Sequence, residues 1–505
     1  MVRRLGSTST LLWTAVLVLV GLLGHSIYAC SEDERTASVR FNVASDRLYL
    51  EGEGCITPSQ IYAQKLSSTN DSENFFIPIK ALTKAGDESV DETGYWIFTS
   101  DVYVYNGVKL ELHEDSGTIA LRLKSDQGAN GSEVVELRAH GGWLSMLNTE
   151  VSSWDESEGD YQSFTNSTTP RSYITAISEM MEDPPETCLG HAKNNRGEAR
   201  MDIINSEVHH LGYHGTEAYG VTFKVRGFCA DLSNEHIFET VNVRGDIRFS
   251  NLHHNHFGMY SYGHQDGLWE YNFMHHNTAY GFDPHDDSDN LRIHNNVVYN
   301  NGNHGIIASK RCNDVSIQNN IIYDNKNAGI MLHRSSDGAI VRNNTISGSA
   351  DACVAIFESM EGDYSNNTCI DNKYGFRWSV GASYNKIYDN YIESSTQYGL
   401  YFYQGSDLPY VTDGKPKYNI IANNVIDTAT EGLKMGDTVG NEFRDNVFTN
   451  TPDLRMRSSL DVIWQDNTIP QVVDIEVDAL SCVTEESDLE QLESGTEDGT
   501  VPVCE

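Results

Sequence analysis

The chain has 505 residues, with 35 Lys plus Arg against 73 Asp plus Glu, a formal charge of −38 and a pI near 4.7. At 39% hydrophobic and 21% charged it has the apolar content to fill a core, which excludes a wholly disordered chain and a multi-span membrane protein. Acidity on this scale repels nucleic acid and no basic tract offsets it, so no nucleic-acid partner is expected.

In chain order, Arg3 and Arg4 precede an apolar run from Leu11 to Leu23, and Ala29 supplies a small residue before Cys30. This pattern predicts a secretory signal peptide over residues 1–29, with an uncleaved membrane anchor as the alternative. In that compartment the nine cysteines are free to form disulfides. The spacings of Cys353 to Cys369 and of Cys482 to Cys504 suit local loops, and Cys30 is expected to be lost or left unpaired. Asn70, Asn130, Asn166, Asn343 and Asn366 each begin an Asn-x-Ser/Thr sequon. Residues 30–93 have no strong period and read as an N-terminal cap or lid.

Residues 94–470 carry the feature that decides the fold. Phrases such as HNNVVYNN, QNNIIYDN and RNNTISG recur, and Asn272, Asn296, Asn320 and Asn344 stand 24 apart, followed by Asn367 and Asn390 at 23. Gly281, Gly305 and Gly329 keep the same time in YGFDPHDD, HGIIASKR and AGIMLHRS. A period in the low twenties with short β-branched runs and Asn/Gly/Asp corners predicts an all-β, right-handed parallel β-helix with at least two strands per coil. The marker asparagines are expected to form a coil-to-coil ladder, with the residue after each facing inward. Residues 408–417 read as an insertion, and the acidic tail 471–505 as a segment adding little to the core.

Strand alternation phases the surface. With the residue after each repeat Gly pointing inward, Phe282, Ile306 and Ile330 enter the core. One outer wall then carries Tyr260, Tyr262 and His264, then Asp283 and His285, then Ser309 and Arg311, then His333. Thr222, Lys224 and Arg226 precede these; Arg377, Tyr401 and Tyr403 follow. The DPHDD run at 283–287 gives up strand propensity where sister coils read GIIAS and GIMLH, which marks a functional position. The doublets His253/His254 and His275/His276 fall at corners and read as turn residues.

YGFDPHDDS, HGIIASKRCND and LGYHGTEAYGVT together resemble the mannuronan C5-epimerases that modify alginate, of the bacterial periplasmic type and their brown-algal relatives. The resemblance spans residues 95–450 and includes the DPHD motif carried by Asp283, Pro284, His285 and Asp286. It implies conversion of β-D-mannuronate to α-L-guluronate within the polymer, with His285 as base. The Ser-Arg of the family pattern reads Ser309-Lys310-Arg311 here. Alternation favours Arg311 as the group that neutralises the substrate carboxylate, with Lys310 as its rival.

Asp283 or Asp286 is expected to orient the imidazole, and His264, Tyr260, His333 or water to reprotonate C5 from the opposite face. Lys224, Arg226, Tyr262, Lys310, Arg334, Arg377, Tyr401 and Tyr403 are the expected contacts to an anionic polysaccharide. No cofactor is required by this chemistry; a structural or modulatory Ca²⁺ at the DPHDD carboxylates is the weaker expectation. A polyuronate lyase acting by β-elimination and a non-catalytic cell-wall-binding β-helix are the alternatives.

Overall fold

The computed structural model describes residues 30–64, 79–82, 94–128, 131–163, 166, 168–179, 196–226, 241–428, 430–496 and 499–504. The expected signal peptide or anchor over residues 1–29, and the sequons at Asn70 and Asn130, lie outside them. Among the described residues no helix is long and apolar enough to cross a membrane.

Among the described residues each coil of the solenoid carries three strands, within the expectation of at least two, and stacking the coils builds three sheets of 16, 14 and 15 strands. Most strands of the second and third sheets are only three residues long, with the middle residue buried and its neighbours more open, as in Arg292–His294 and Val297–Tyr299. That is the pattern a three-sided prism with one inward residue per short side requires. Pairing from coil to coil is parallel and in register, as in Phe282 with Ile306 and Ile306 with Ile330. Among the described residues three antiparallel pairs stand in the N-terminal part, Ser38–Asn42 with Arg47–Glu51, Ile79–Leu82 with Tyr95–Phe98, and Ala120–Gly128 with Gly131–Val134. The connections give a right-handed parallel β-helix, as the repeat predicts.

The Asn-Asn doublets have a local explanation. The first member, Asn295, Asn319 or Asn343, turns the corner in the left-handed region at φ 56–58°, where Asn is among the few residues readily accommodated. The second points inside, where its amide bonds the equivalent Asn one coil on: Asn272 to Asn296, Asn296 to Asn320 and Asn320 to Asn344 are each 3.0 Å, and the row continues to Asn467. Because the asparagine itself is the inward residue, the one after it faces out. Phe273 is 51% exposed and Ile321 52% exposed, opposite to the expected phase, and Met274 and Ile322 take the interior instead.

Asn320 exchanges four buried hydrogen bonds, accepting from the amides of Asn296 and donating to Ile293 O and to Asn344. Asn320→Ala leaves those partners unsatisfied and is expected to cost about 3 kcal/mol or more, read as a lower urea midpoint with an unchanged slope.

The ends of the chain are more integrated than expected. Leu48, Leu50, Ile56 and Ile61 from the N-terminal region, and Ile475, Val483, Leu492 and Val501 from the acidic tail, all enter the main core. Asp474–Val477 adds the last strand of the first sheet, so the tail closes that end of the core. Cys30, expected to be lost or unpaired, is bonded to Cys55, while Cys353–Cys369 and Cys482–Cys504 close the local loops their spacing suggested. Cys312 is buried and free.

Candidate active site

The first sheet presents two adjacent outward columns. Register along one aligns Lys224, Tyr262, His285, Ser309, His333, Phe357, Ser379 and Tyr403; along the other it aligns Thr222, Tyr260 and Asp283, and further on Met331, Ala355, Arg377 and Tyr401. At about 4.8 Å per coil, Lys224 and Tyr403 stand about 34 Å apart on this wall.

His285 closes the strand Phe282–His285 with its side chain partly open to solvent. Its Nδ1 meets the Asp286 carboxylate, which also accepts from Arg311 Nη2 at 3.0 Å. Arg311 grips Asp287 with Nε and Nη2 at 3.0 and 2.9 Å. Asp286 thus bridges an imidazole and a guanidinium. Burial pushes its carboxyl up, but the His285 bond and the charges of Lys310 and Arg311 outweigh that and hold it below the usual carboxylate range.

The expected phase of Arg311 needs correction. The strand Ile306–Ser309 ends before it, and Lys310 and Arg311 both turn through the left-handed region, at φ 63° and 59°. Alternation therefore does not carry through the pair. Arg311 is committed to two aspartates, whereas among the described residues the Lys310 ammonium has no ion-pair partner. Lys310 acts electrostatically on Asp283, Asp286 and His333, which places its charge at the site.

Asp283 is buried and one carboxylate oxygen has no hydrogen-bond partner. Burial, with the nearby Asp286 charge, lifts its carboxyl to about 7 against the opposing pull of His285 and Lys310. Between the ordinary value of 3.8 and about 7, the folded chain holds a proton that the unfolded chain has released. Stability contributed by this group is therefore lost as pH rises through that window and is flat above it, a swing of up to about 4 kcal/mol. Asp283→Asn is expected to remove the slope. Relative to wild type, the variant should gain urea resistance at pH 8 compared with pH 5, and an identical difference at both pH values would contradict the assignment.

Tyr260 packs its ring 5.6 Å from His285, and burial followed by the Asp283 and Asp286 charges raises its phenol strongly. Tyr262 is pushed up to about 12 by burial and by Asp286 and Asp287. His333 bonds Ser309 Oγ at 2.9 Å and is lowered to about 4 by burial and by Arg334, His285 and Lys310. His264 is not on the wall. The strand Phe257–Tyr262 ends two residues earlier, Gly263 turns at φ 72°, and the imidazole is fully buried between Phe223 and Trp269 at 4.6 and 5.2 Å.

The expected binding cations are mostly engaged. Glu217, a residue sequence reasoning passed over, pairs with Lys224 at 3.0 Å and with Arg226. Arg377 pairs with Asp351 at 3.1 Å. Arg334 follows its strand at φ 55° and lies 3.7 Å from the Tyr410 ring centre while pairing with the buried Glu358 at 3.3 Å. Glu358 also accepts from Val411 N at 2.9 Å, so Arg334 and Glu358 clamp the 408–417 insertion rather than line the groove. Tyr401 and Tyr403 stack at 4.5 Å, about 24 Å along the wall from His285. Among the described residues, the groups of three or more ligand-type atoms gathered closely enough for a metal ion are Cys30/Cys55/Glu111 and Asp461/Cys482/Cys504, and each includes a disulfide.

The same fold, over most of its length, is found in a solved structure. The structure of the periplasmic alginate epimerase AlgG superposes with a TM-score of 0.63 at 19% identity, covering 80% of this chain and 85% of that one. The two chains share a fold. A double mutant of AlgG matches over the same shares with a TM-score of 0.64. The curated mannuronan C5-epimerase of Pseudomonas aeruginosa is 26% identical over 220 residues, 43% of this chain. That match spans about a third (35%) of the curated relative's length. A family profile described as periplasmic copper-binding protein (NosD) matches residues 221–337 and 246–427.

Proposed function

We propose that this wall binds alginate and inverts C5 of β-D-mannuronate residues within the polymer. The observation that carries the reading is the chain His285–Asp286–Arg311 beside the Lys310 ammonium, which has no ion-pair partner among the described residues. Similarity to the P. aeruginosa mannuronan C5-epimerase and to the AlgG fold supports it. The chemistry needs a base and a cation together, because removing the C5 proton puts a second negative charge on a group that already bears a carboxylate.

His285 donates its Nδ1 proton to Asp286, which leaves the Nε2 lone pair to take the C5 proton; this tautomer follows from the hydrogen bond. Lys310 stabilises the enediolate as charge develops. Arg311 fixes Asp286 and so positions the base.

Reprotonation comes from water on the far face of the sugar. Tyr260 does not serve there, because its ring lies only 5.6 Å from that of His285. A sugar ring sandwiched between them needs two van der Waals contacts, about 7 Å or more. The proton taken by His285 returns to solvent and restores the base. The length of the wall suits a polymer, with Tyr401 and Tyr403 offering distal contacts, and a secreted or cell-wall location accords with a polysaccharide substrate. No metal or cofactor enters these steps.

One observation favours a second reading. A phenol held protonated against the base, Tyr260, is suitably placed to protonate a departing O4, which would make the protein a polyuronate lyase. Incubation with polymannuronate separates the two. Guluronate signals in proton NMR without ultraviolet absorbance from 4,5-unsaturated ends support epimerisation, new unsaturated ends support elimination, and neither product leaves a binding-only wall.

A further inference from the structure

Three successive coils carry a His-His doublet at the same corner, away from the wall. His209, His253 and His275 end the strands Glu207–His209, Asn251–His253 and Phe273–His275 of the third sheet. Their rings stack at 4.9 and 5.0 Å. His210, His254 and His276 form a second column, stacked at 5.0 and 5.3 Å. Within each doublet the two Nδ1 atoms face each other, at 2.6, 2.7 and 2.8 Å.

The corner position is informative. His210, His254 and His276 sit at φ 54–58°, and the next two coils place Asn300 and Asp324 there at φ 54–55°. Asn, Asp and His are the non-glycine residues enriched in the left-handed region, so turn geometry admits all five; what sets the three coils apart is that each pairs its corner imidazole with a second one at the end of the strand before it. The inner column is also locked. His209 Nε2 bonds Glu150 at 2.9 Å, His253 Nε2 bonds Glu207 at 2.7 Å, and His275 Nε2 bonds the Asn251 side-chain oxygen at 2.9 Å. Each acceptor fixes the Nε2–H tautomer and leaves an Nδ1 lone pair facing the outer column. An imidazole whose other nitrogen donates to a carboxylate or amide oxygen is the arrangement metal-binding histidines adopt.

We propose that this double histidine column is a binding site for a divalent transition cation of tetragonal preference, Cu²⁺ above Ni²⁺ and Zn²⁺. The doublet nitrogens lie 2.6–2.8 Å apart, hydrogen-bonded to each other; a cis pair at about 2.0 Å from a square-planar ion is about 2.8 Å apart and a tetrahedral pair about 3.3 Å, so the tetragonal ion asks for the smaller rearrangement. Binding tips the two rings so that their lone pairs converge on one point. The outer imidazole gives up its Nδ1 proton and takes one at Nε2 from solvent, so both ligands stay neutral. Glu150 and Glu207 supply compensating charge, and His254 and His276 are exposed, so water can complete the coordination. The site stands independently of the chemistry proposed for the wall.

The test uses the full secreted chain without an affinity tag, stripped with chelator and titrated with Cu²⁺, Ni²⁺ and Zn²⁺ separately. His210→Asn/His254→Asn/His276→Asn removes the outer column and installs the residue that the next coil already carries at this corner, so the fold is retained. Wild type should bind Cu²⁺ most tightly, with hyperfine coupling to imidazole nitrogen in electron paramagnetic resonance. The triple variant should lose affinity at least 100-fold, and Glu207→Ala about 10- to 100-fold. Copper affinity equal in wild type and triple variant, a bound-copper spectrum without coordinated imidazole, or Zn²⁺ binding more tightly than Cu²⁺ would overturn the proposal.

Discussion

His285→Asn is expected to lower C5 proton exchange on polymannuronate by about 100- to 10,000-fold, the range for loss of a positioned general base. Asn preserves much of the side-chain shape and the hydrogen bond toward Asp286, but its amide cannot take a proton at the pH where the imidazole can. The loss should appear in kcat with little change in KM, since His285 acts on the transition state more than on bound substrate. Exchange measured by proton NMR checks this, and near-normal exchange in folded variant would move the base elsewhere on the wall.

Lys310→Gln is expected to lower kcat/KM by about 100- to 1,000-fold, as removal of a preorganised stabilising group does. Lys310→Arg should recover part of it, because a cation at that place is what the enediolate requires. Arg311→Gln should differ in kind. It frees the Asp286 oxygen held at 3.0 Å and removes the charge that helps keep that carboxyl low, so the acid limb of the pH–rate profile should shift along with kcat. Steady-state kinetics across pH distinguish them. If the Lys310 variant stays active while Arg311→Lys loses most of its rate with an unshifted profile, the carboxylate is held by Arg311.

The fold was legible because its rule is one-dimensional. Asn272, Asn296 and Asn320 announce a period of 24, and the inward phase of Phe282, Ile306 and Ile330 holds because each opens a regular strand directly after its glycine. Alternation failed where the strand had already stopped. His264 lies beyond the turn at Gly263 and swings into the core, and Lys310 and Arg311 lie beyond Ser309, where two left-handed residues reset the direction of the chain.

The phase after each Asn failed for a related reason, because the ladder side chain itself occupies the interior. Partners from loops were the least visible. Glu217, which engages Lys224 and Arg226, stands before its strand, and Asp287, which holds Arg311, stands just after one. The histidine doublets were visible as letters but were read coil by coil. Asn272 stands three residues before His275, but Ser250 and Ser206 hold that place before His253 and His209, which hid the common register.

Reaction of polymannuronate with the wild-type protein in deuterium oxide tests the central claim most directly. Proton abstraction by His285 and return from solvent on the far face predict deuterium at C5 of every guluronate formed, with chain length unchanged. Guluronate that retains protium at C5, or chains shortened to 4,5-unsaturated ends, would contradict the account.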